Sequence, residues 1–525
     1  MDKLVIKNAK IIDGTGSPPF FGEVEIEDGF IKEVRRGTKK TEGEILDARG
    51  LVLAPGFVDL HSHSDLMILE DKIEGKIRQG VTTEIVGNCG FSPAPIPGKK
   101  ADAAGEVLSP VLGKREPEPN SWPEVKDYLA ALEESSPLFN VGALVGHGTL
   151  RFGVMGLDSR NWNEEEKEKM ISSLRDSFKQ GAWGLSSGLI YSPGCYADFD
   201  ELKELCFIAA DWGVPYVTHI RSEADRIIEA VEETIRLGRE TGVHIHFSHH
   251  QIDGKENWGK AEHTLSLIGE ARVKGVKVTL DQYPYQAGST MLWALLPQWA
   301  QNQEREEVLA NLKRSEIRER IKKDLEGEED LLITVTGWDN IMLNSLPESP
   351  ELEQKTIKEA AEEREMDCAE VFMDLILENR GEGTVVLFDQ CEEDWERIFA
   401  DPYCSIATDS ILVGDKPHPR SFGSFPHVLG EIVREKGIIT LEKAINKMTL
   451  LPAETFGIPE IGAVLPGYRA DFVIFNPDQV GFKGTFKEPA KVPEGIEYVI
   501  IEGKIVCKEG EVTGCRTGKV LRRKV

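Results

Sequence analysis

The sequence predicts an α/β chain with a (β/α)8 barrel of TIM type at its centre, a β-rich arm at each end and an inserted lid region. Three observations carry that expectation. Both ends alternate apolar and polar residues between turn signals, the middle alternates short apolar runs with charged amphipathic stretches, and one long segment breaks that rhythm.

In the first arm, residues 1–55, Leu4 to Ile12, Gly22 to Ile26 and Phe30 to Val34 read as strands separated by Asp13-Gly14 and Glu27-Asp28-Gly29. The barrel is assigned to residues 56–455. Its clearest run opens at Asn163, a good helix start before an acidic first turn, and continues to Gln180 and the stop at Gly181. Strand Ala182 to Leu185, a helix near Asp200 to Trp212, strand Val214 to Thr218 and a helix from Ala224 to Glu240 follow. Then come strand Val243 to Ser248, a helix near Ala261 to Lys274 and strand Val276 to Leu280. Repeated strand–helix units imply a parallel sheet, and reactive residue types at successive strand ends favour a closed barrel over a doubly wound sheet. Residues 287–380, with Leu295-Leu296-Pro297, a charged run from Arg314 to Asp330 and a helical stretch near 352–379, read as the insertion; two further barrel repeats with long loops are the alternative. In the second arm, residues 456–525, the strand signals are Asp471 to Asn476, Glu497 to Glu502 and Lys504 to Lys508.

Composition narrows the function classes. With 62 basic and 90 acidic residues the chain carries a formal charge of -28, which repels phosphate backbones and anionic lipid and argues against nucleic-acid or membrane partners. No stretch approaches the ~18 apolar residues of a membrane span, and the N-terminus lacks the basic-then-apolar pattern of a secretory signal. Eight cysteines show no CxxC spacing, so a cytoplasmic protein with reduced thiols is expected. Nothing in the composition sets an oligomeric state.

The chemistry concentrates at predicted strand ends. Gly56-Phe57-Val58-Asp59-Leu60-His61-Ser62-His63 is a short apolar strand ending in His-x-His; residues i and i+2 of a strand face one side, so both imidazoles can meet one cation. A second strand runs through Ile85-Val86-Gly87-Asn88 into Cys89, and a thiolate is a good zinc ligand. Two more end in histidine, at His219 and at His246-Phe247-Ser248-His249-His250, and a late one ends in Asp409. Singly, each has a bland reading: a buried thiol, a hydrogen-bonded histidine, a turn aspartate. Together they supply ligands for one or two zinc ions and a carboxylate for proton transfer.

These motifs resemble the amidohydrolase superfamily, and within it the N-acyl-D-amino-acid deacylase (D-aminoacylase) family. The resemblance spans nearly the whole chain, through "GFVDLHSHSD", "GVTTEIVGNCGFSP", "GLSSGLIYSPG", "VTHIRSE", "FSHHQIDGKENWG", "DQYPYQAGST", "ATDS" and "HPRSFGSFP". The cysteine after "VGN" marks the deacylase group, where other branches use a lysine or carboxylate as metal bridge. The resemblance implies that both arms form one small β-sandwich, that Cys89, His219 and His249 hold the tighter zinc, and that His61, His63 and Asp409 line a second, weaker site sharing the thiolate. It selects His249 over His250. It further implies Asp409 as general base, Arg420 as the clamp for the substrate α-carboxylate, and Tyr283, Ser289 and Tyr191 as substrate-binding residues. Gln251 stands where relatives preferring acidic side chains carry lysine, which points to a neutral side chain. The expected substrate is thus a small N-acyl-D-amino acid. A cyclic-amide hydrolase of dihydroorotase or hydantoinase type, and a scaffold that has lost its chemistry, are the competing readings.

Overall fold

A computed structural model describes residues 3–37, 43–115, 119–327 and 331–524, and eight parallel strands form a closed barrel among them. In chain order these are β1 (Phe57–Asp59), β2 (Val81–Val86), β3 (Asn140–Ala143, resumed at Val145–Gly146), β4 (Leu185–Gly188), β5 (Pro215–His219), β6 (His244–Phe247), β7 (Val278–Gln282) and β8 (Cys404–Ile406). Each pairs in parallel with the next. The ring closes just beyond β8, where Ser410 bridges Ser62 and the Asp409 amide donates to the His61 carbonyl at 2.9 Å. Closure leaves no open edge, and the two-residue strand period sorts the side chains. Val58, Leu60, Ile85, Leu144, Trp183, Val217 and Ala407 share one buried cluster, whereas Phe57, Val81, Val86, Tyr216 and Ile245 belong to the larger core that includes the helices.

The helices follow local rules. α1 (Glu164–Lys179) starts with a capping box, in which the Asn163 side chain accepts from the Glu166 amide and the Glu166 carboxylate accepts from the Asn163 amide. β4 begins three residues later than the alternation suggests, because the amides of Gly181 and Ala182 still donate to Phe178 and Ser177 carbonyls at the end of α1. After α2 (Phe199–Asp211), α3 (Ile227–Thr241) likewise starts three residues late: Ser222 Oγ accepts from the amides of Ala224 and Arg226 and holds a turn there. α4 (Ala261–Val273) precedes β7.

Both arms join one nine-stranded sheet, with the strand Val52–Pro55 between Phe472–Phe475 and Lys3–Ile11. Alternate residues divide its two faces. Leu53, Phe472, Ile474 and Ile500 build the arm's own core with Ile6, Ile11, Val24 and Ile26, while Val52, Ala54, Val473, Phe475 and Val499 pack onto the barrel. The chain end leaves this sheet: Leu521 donates to the Val141 carbonyl at 2.7 Å and accepts from Trp183 Nε1 at 2.8 Å.

Between β7 and β8 lies a subsidiary body with a core of its own. Strands Gly288–Met291, Ile341–Ser345 and Thr384–Leu387 form an antiparallel sheet, and helices including Ser315–Gly327, Ile357–Arg364 and Cys368–Glu378 surround residues such as Leu292, Ile321, Leu343, Ile357, Phe372 and Val385. Of the charged run, Glu316, Glu319, Arg320, Lys323 and Glu326 are exposed on the helix Ser315–Gly327, and residues 328–330 lie outside the described residues. Among the described residues no helix is long and apolar enough to cross a membrane, and all eight cysteines are free thiols.

Candidate active site

The strand ends bring Cys89, His61, His63, His219, His249 and Asp409 to one side of the barrel. Cys89 Sγ lies 3.3 Å from His61 Nε2 and 3.4 Å from His249 Nε2, and Asp409 Oδ1 lies 3.4 Å from His61 Nε2 and 3.3 Å from His63 Nε2. His219 Nδ1 faces His249 Nε2 at 2.9 Å. The donor atoms fall into three overlapping groups: His61, Cys89 and His249; His61, His63 and Asp409; His219, Glu223 and His249. Separations of 3.3–3.4 Å are long for nitrogen–oxygen hydrogen bonds, yet they approach the edge of a tetrahedral ligand shell with bonds of about 2.0–2.3 Å. The residues therefore fit a metal such as zinc.

The backbone pushes these groups inward. Cys89, His249 and Asp409 occupy positive φ, at 51°, 29° and 47°, a region that non-glycine side chains seldom adopt. His249 is fixed there by its amide, which donates to Asp281 Oδ1 at 2.9 Å, and its Nδ1 meets Glu223 Oε1 at 2.9 Å. Its neighbour turns away: His250 Nε2 meets Thr264 Oγ1 on α4 and its ring packs on Phe247.

Electrostatics favour the ionised forms of these groups: a thiolate and a carboxylate, with the imidazoles His61 and His249 supplying the positive charge between them. Burial pushes the Cys89 thiol up, but the His61 and His249 imidazoles beside it outweigh burial and hold it well below the usual thiol range. Burial lowers His61, and Asp281, Cys89 and Asp409 then raise it to about 10. For Asp409 burial acts upward, yet Arg420, His61 and His63 hold the carboxyl well below its ordinary value. An aspartate that stays ionised at neutral pH results.

Arg420 is fully buried, with Nη1 2.9 Å from Asp409 Oδ2, Nη2 donating to the Ser289 carbonyl at 3.3 Å and its guanidinium 4.6 Å from the Tyr283 ring centre. Its Nε and Nη1 have no hydrogen-bond acceptor, the Asp409 contact being off angle. Tyr283 Oη donates to Gln251 Oε1 at 2.6 Å and accepts from Gln390 Nε2 at 2.7 Å. Tyr191 touches Thr290 Oγ1 at 3.1 Å and sets its ring against His219. Tyr283, Gln251, Tyr191, Ser289 and Thr290 line a cavity with His63, Cys89, His219, His249 and Asp409, which holds about 540 Å³ of unfilled space, part of it open to solvent.

Several residues were not legible as functional. Asp281 bonds His61 Nδ1 at 3.2 Å and His246 Nε2 at 2.8 Å besides the His249 amide, and Glu223 receives Gln251 Nε2 at 3.0 Å besides His249. Both orient imidazoles. The only available signal was acidic residue type just past a strand end. Lys76, on the short helix Glu74–Arg78, is wholly buried with Nζ 2.6 Å from Asp59, 2.7 Å from Thr408 Oγ1 and 3.1 Å from Glu84. His147 is structural: its Nε2 meets Glu201 at 2.8 Å.

A closed parallel barrel carrying a thiol, imidazoles and a carboxylate at its strand ends defines a metal-dependent amidohydrolase, and the chain belongs to the amidohydrolase family, whose model matches residues 44–507. Its full-length relatives place it in the N-acyl-D-amino-acid deacylase group of linear-amide hydrolases. It is 35% identical to an N-acyl-D-glutamate deacylase of Alcaligenes xylosoxydans xylosoxydans over 99% of this chain and 96% of that one, and 34% identical to a D-aminoacylase of the same organism over 99% and 97%. The crystal structure of N-acyl-D-glutamate deacylase from Bordetella bronchiseptica, complexed with zinc and a phosphonate inhibitor that mimics the tetrahedral intermediate, superposes with a TM-score of 0.85 at 34% identity, covering 100% of both chains.

Proposed function

We propose that this protein hydrolyses the amide bond of N-acyl-D-amino acids with neutral side chains, using zinc held at a tighter position by Cys89, His219 and His249, with His61, His63 and Asp409 lining a second, weaker one. The observation that carries the reading is a buried arginine with two unsatisfied N–H groups beside the aspartate that faces the metal ligands. Zinc, when bound, supplies Lewis acidity: it makes water acidic enough to ionise near neutral pH and polarises a carbonyl.

The chain's own groups do the rest. Asp409, ionised and 3.3–3.4 Å from two ligand nitrogens, takes the proton of the attacking water and returns it to the departing amine nitrogen. Arg420 offers Nε and Nη1 to the α-carboxylate, with the Tyr283 ring bracing the guanidinium and Ser289 and Tyr191 flanking the substrate. The Gln251 amide is engaged by Glu223, Asp253, Tyr283 and Gln390, and among the described residues no lysine or arginine lines the cavity itself, Arg420 lying against Tyr283 and Ser289 at its wall. An acidic side chain there would face Glu223 and Asp253 unpaired, which supports a neutral one. Free thiols at all eight cysteines support a cytoplasmic setting.

The test is a panel of D and L acyl amino acids, with hydantoin and dihydroorotate beside them, on protein of measured zinc content. Release of the D-amino acid alone is expected, with neutral side chains preferred. Ring opening, or no turnover by zinc-loaded protein, would overturn the reading.

A further inference from the structure

A second cavity adjoins the reaction centre and takes no part in the chemistry above. It holds roughly 650 Å³ of unfilled space, part of it open to solvent, between the helix Ala101–Leu112, the segment after β4 and the inserted body. Its inner wall is apolar: Phe91, Val107, Phe152, Leu157, Met291 and Trp293. Polar residues such as Glu106, Glu304 and Arg305 also line it.

The chamber and the site share a wall. Phe91 and Tyr191 line both, with ring centres 5.2 Å apart, and the Tyr191 ring lies 5.1 Å from that of His219. The helix Ala101–Leu112 spans the two: Ala103, Val107 and Pro110 border the chamber at helical spacing, and Val111 borders the site. Position around the barrel then gives direction. Phe91 follows β2, Phe152 lies past β3 and Tyr191 past β4, whereas Gln251, Tyr283 and Arg420 lie past β6, β7 and β8. In an eight-stranded ring β2–β4 stand across from β6–β8. A substrate whose carboxylate sits on Arg420 and whose amide sits at the ligand cluster therefore points its acyl end at the chamber.

We propose that this chamber is the acyl subsite, and that the acyl group it takes is a hydrocarbon chain longer than acetyl. The inference rests on the deacylase reading. An acetyl methyl would end at the ligand cluster and leave the half-buried Val107, Leu157 and Trp293 facing the empty chamber, while a chain passing Tyr191 buries its methylenes against them. Each methylene so removed from water favours the longer substrate by about fourfold.

The experiment compares N-octanoyl- with N-acetyl-D-methionine on zinc-loaded protein, and the binding of octanoate with that of acetate by calorimetry. The octanoyl compound is expected to exceed the acetyl one in kcat/KM by at least about 50-fold, the equivalent of three buried methylenes. Val107→Trp, which fills the chamber, and Ala103→Phe, as a second substitution on the same face, should each cut that ratio at least about tenfold and weaken octanoate binding, with melting temperature confirming a folded protein. Equal kcat/KM for the two substrates, or a ratio unmoved in both folded variants, overturns the proposal. Octanoate that binds without turnover of either substrate overturns the deacylase reading and, with it, the assignment of the chamber to a substrate acyl group; octanoate binding no tighter than acetate condemns the chamber itself.

Discussion

Replacing Arg420 by methionine tests how the substrate is held. Methionine keeps an unbranched apolar stem that can lie on the Tyr283 ring, so the buried volume is nearly conserved while the guanidinium is lost. Two N–H groups without acceptors are available to a carboxylate. Hydrogen bonds to a charged partner contribute about 1.5–3 kcal/mol each, so losing two removes about 3–6 kcal/mol, or roughly 10²–10⁴ in kcat/KM. Arg420 also touches Asp409, and its loss could act through that carboxyl instead. The assay therefore pairs N-acetyl-D-methionine with its α-carboxamide. Wild-type protein should strongly prefer the acid, and Arg420→Met should lose most of that preference. Equal losses on acid and amide, or an unchanged kcat/KM on the acid, would refute the carboxylate clamp.

Three further outcomes are expected. Asp409→Asn should fold, since asparagine tolerates the positive φ at this position at least as well, while kcat falls by about 10²–10⁴; near-normal turnover would remove Asp409 from proton transfer. Lys76→Met should lower unfolding free energy by about 3–5 kcal/mol in urea titration, because Asp59 and Glu84 stay buried without their cation; an unchanged midpoint would show that the lysine does not hold them. Burial holds His250 down to about 4, so the unfolded chain takes up a proton below about pH 6.5 that the folded chain refuses until about pH 4. Stability present above pH 6.5 should thus decline between 6.5 and 4, and His250→Gln should flatten that decline by up to about 3 kcal/mol; parallel curves for both proteins would contradict it.

What the sequence made legible follows from how strands present side chains. His61 and His63, Cys89, His219, His249 and Asp409 were readable because each directly follows an apolar run, and a parallel barrel gathers such positions on one side. The helix from Asn163 was readable from its cap. Lys76 was not, because a lysine on a five-residue helix has the pattern of a solvated charge, and only the closure of β1 against β8 buries it beside Asp59 and Thr408. The Arg420–Asp409 pair was likewise hidden: Asp409 sits in the segment after β8 and Arg420 opens the helix Arg420–His427, and their placement depends on tertiary contacts, here the Asp409 amide on the His61 carbonyl and the His418 ring on the Ala287 carbonyl. Element onsets slipped where side chains or helix ends captured backbone amides, as before α3 at Ser222 and before β4 at Ala182. The inserted body gave no two-residue or helical period long enough to disclose that its first and last strands pair.

On the reading above, a thiolate and imidazoles from distant strands grip one ion. Zinc K-edge absorption of the metal-loaded protein tests it without reference to turnover. One sulfur neighbour at about 2.3 Å is expected together with nitrogen or oxygen at about 2.0–2.1 Å, the sulfur vanishing in Cys89→Ala. A wild-type spectrum fitted by nitrogen and oxygen alone would contradict it.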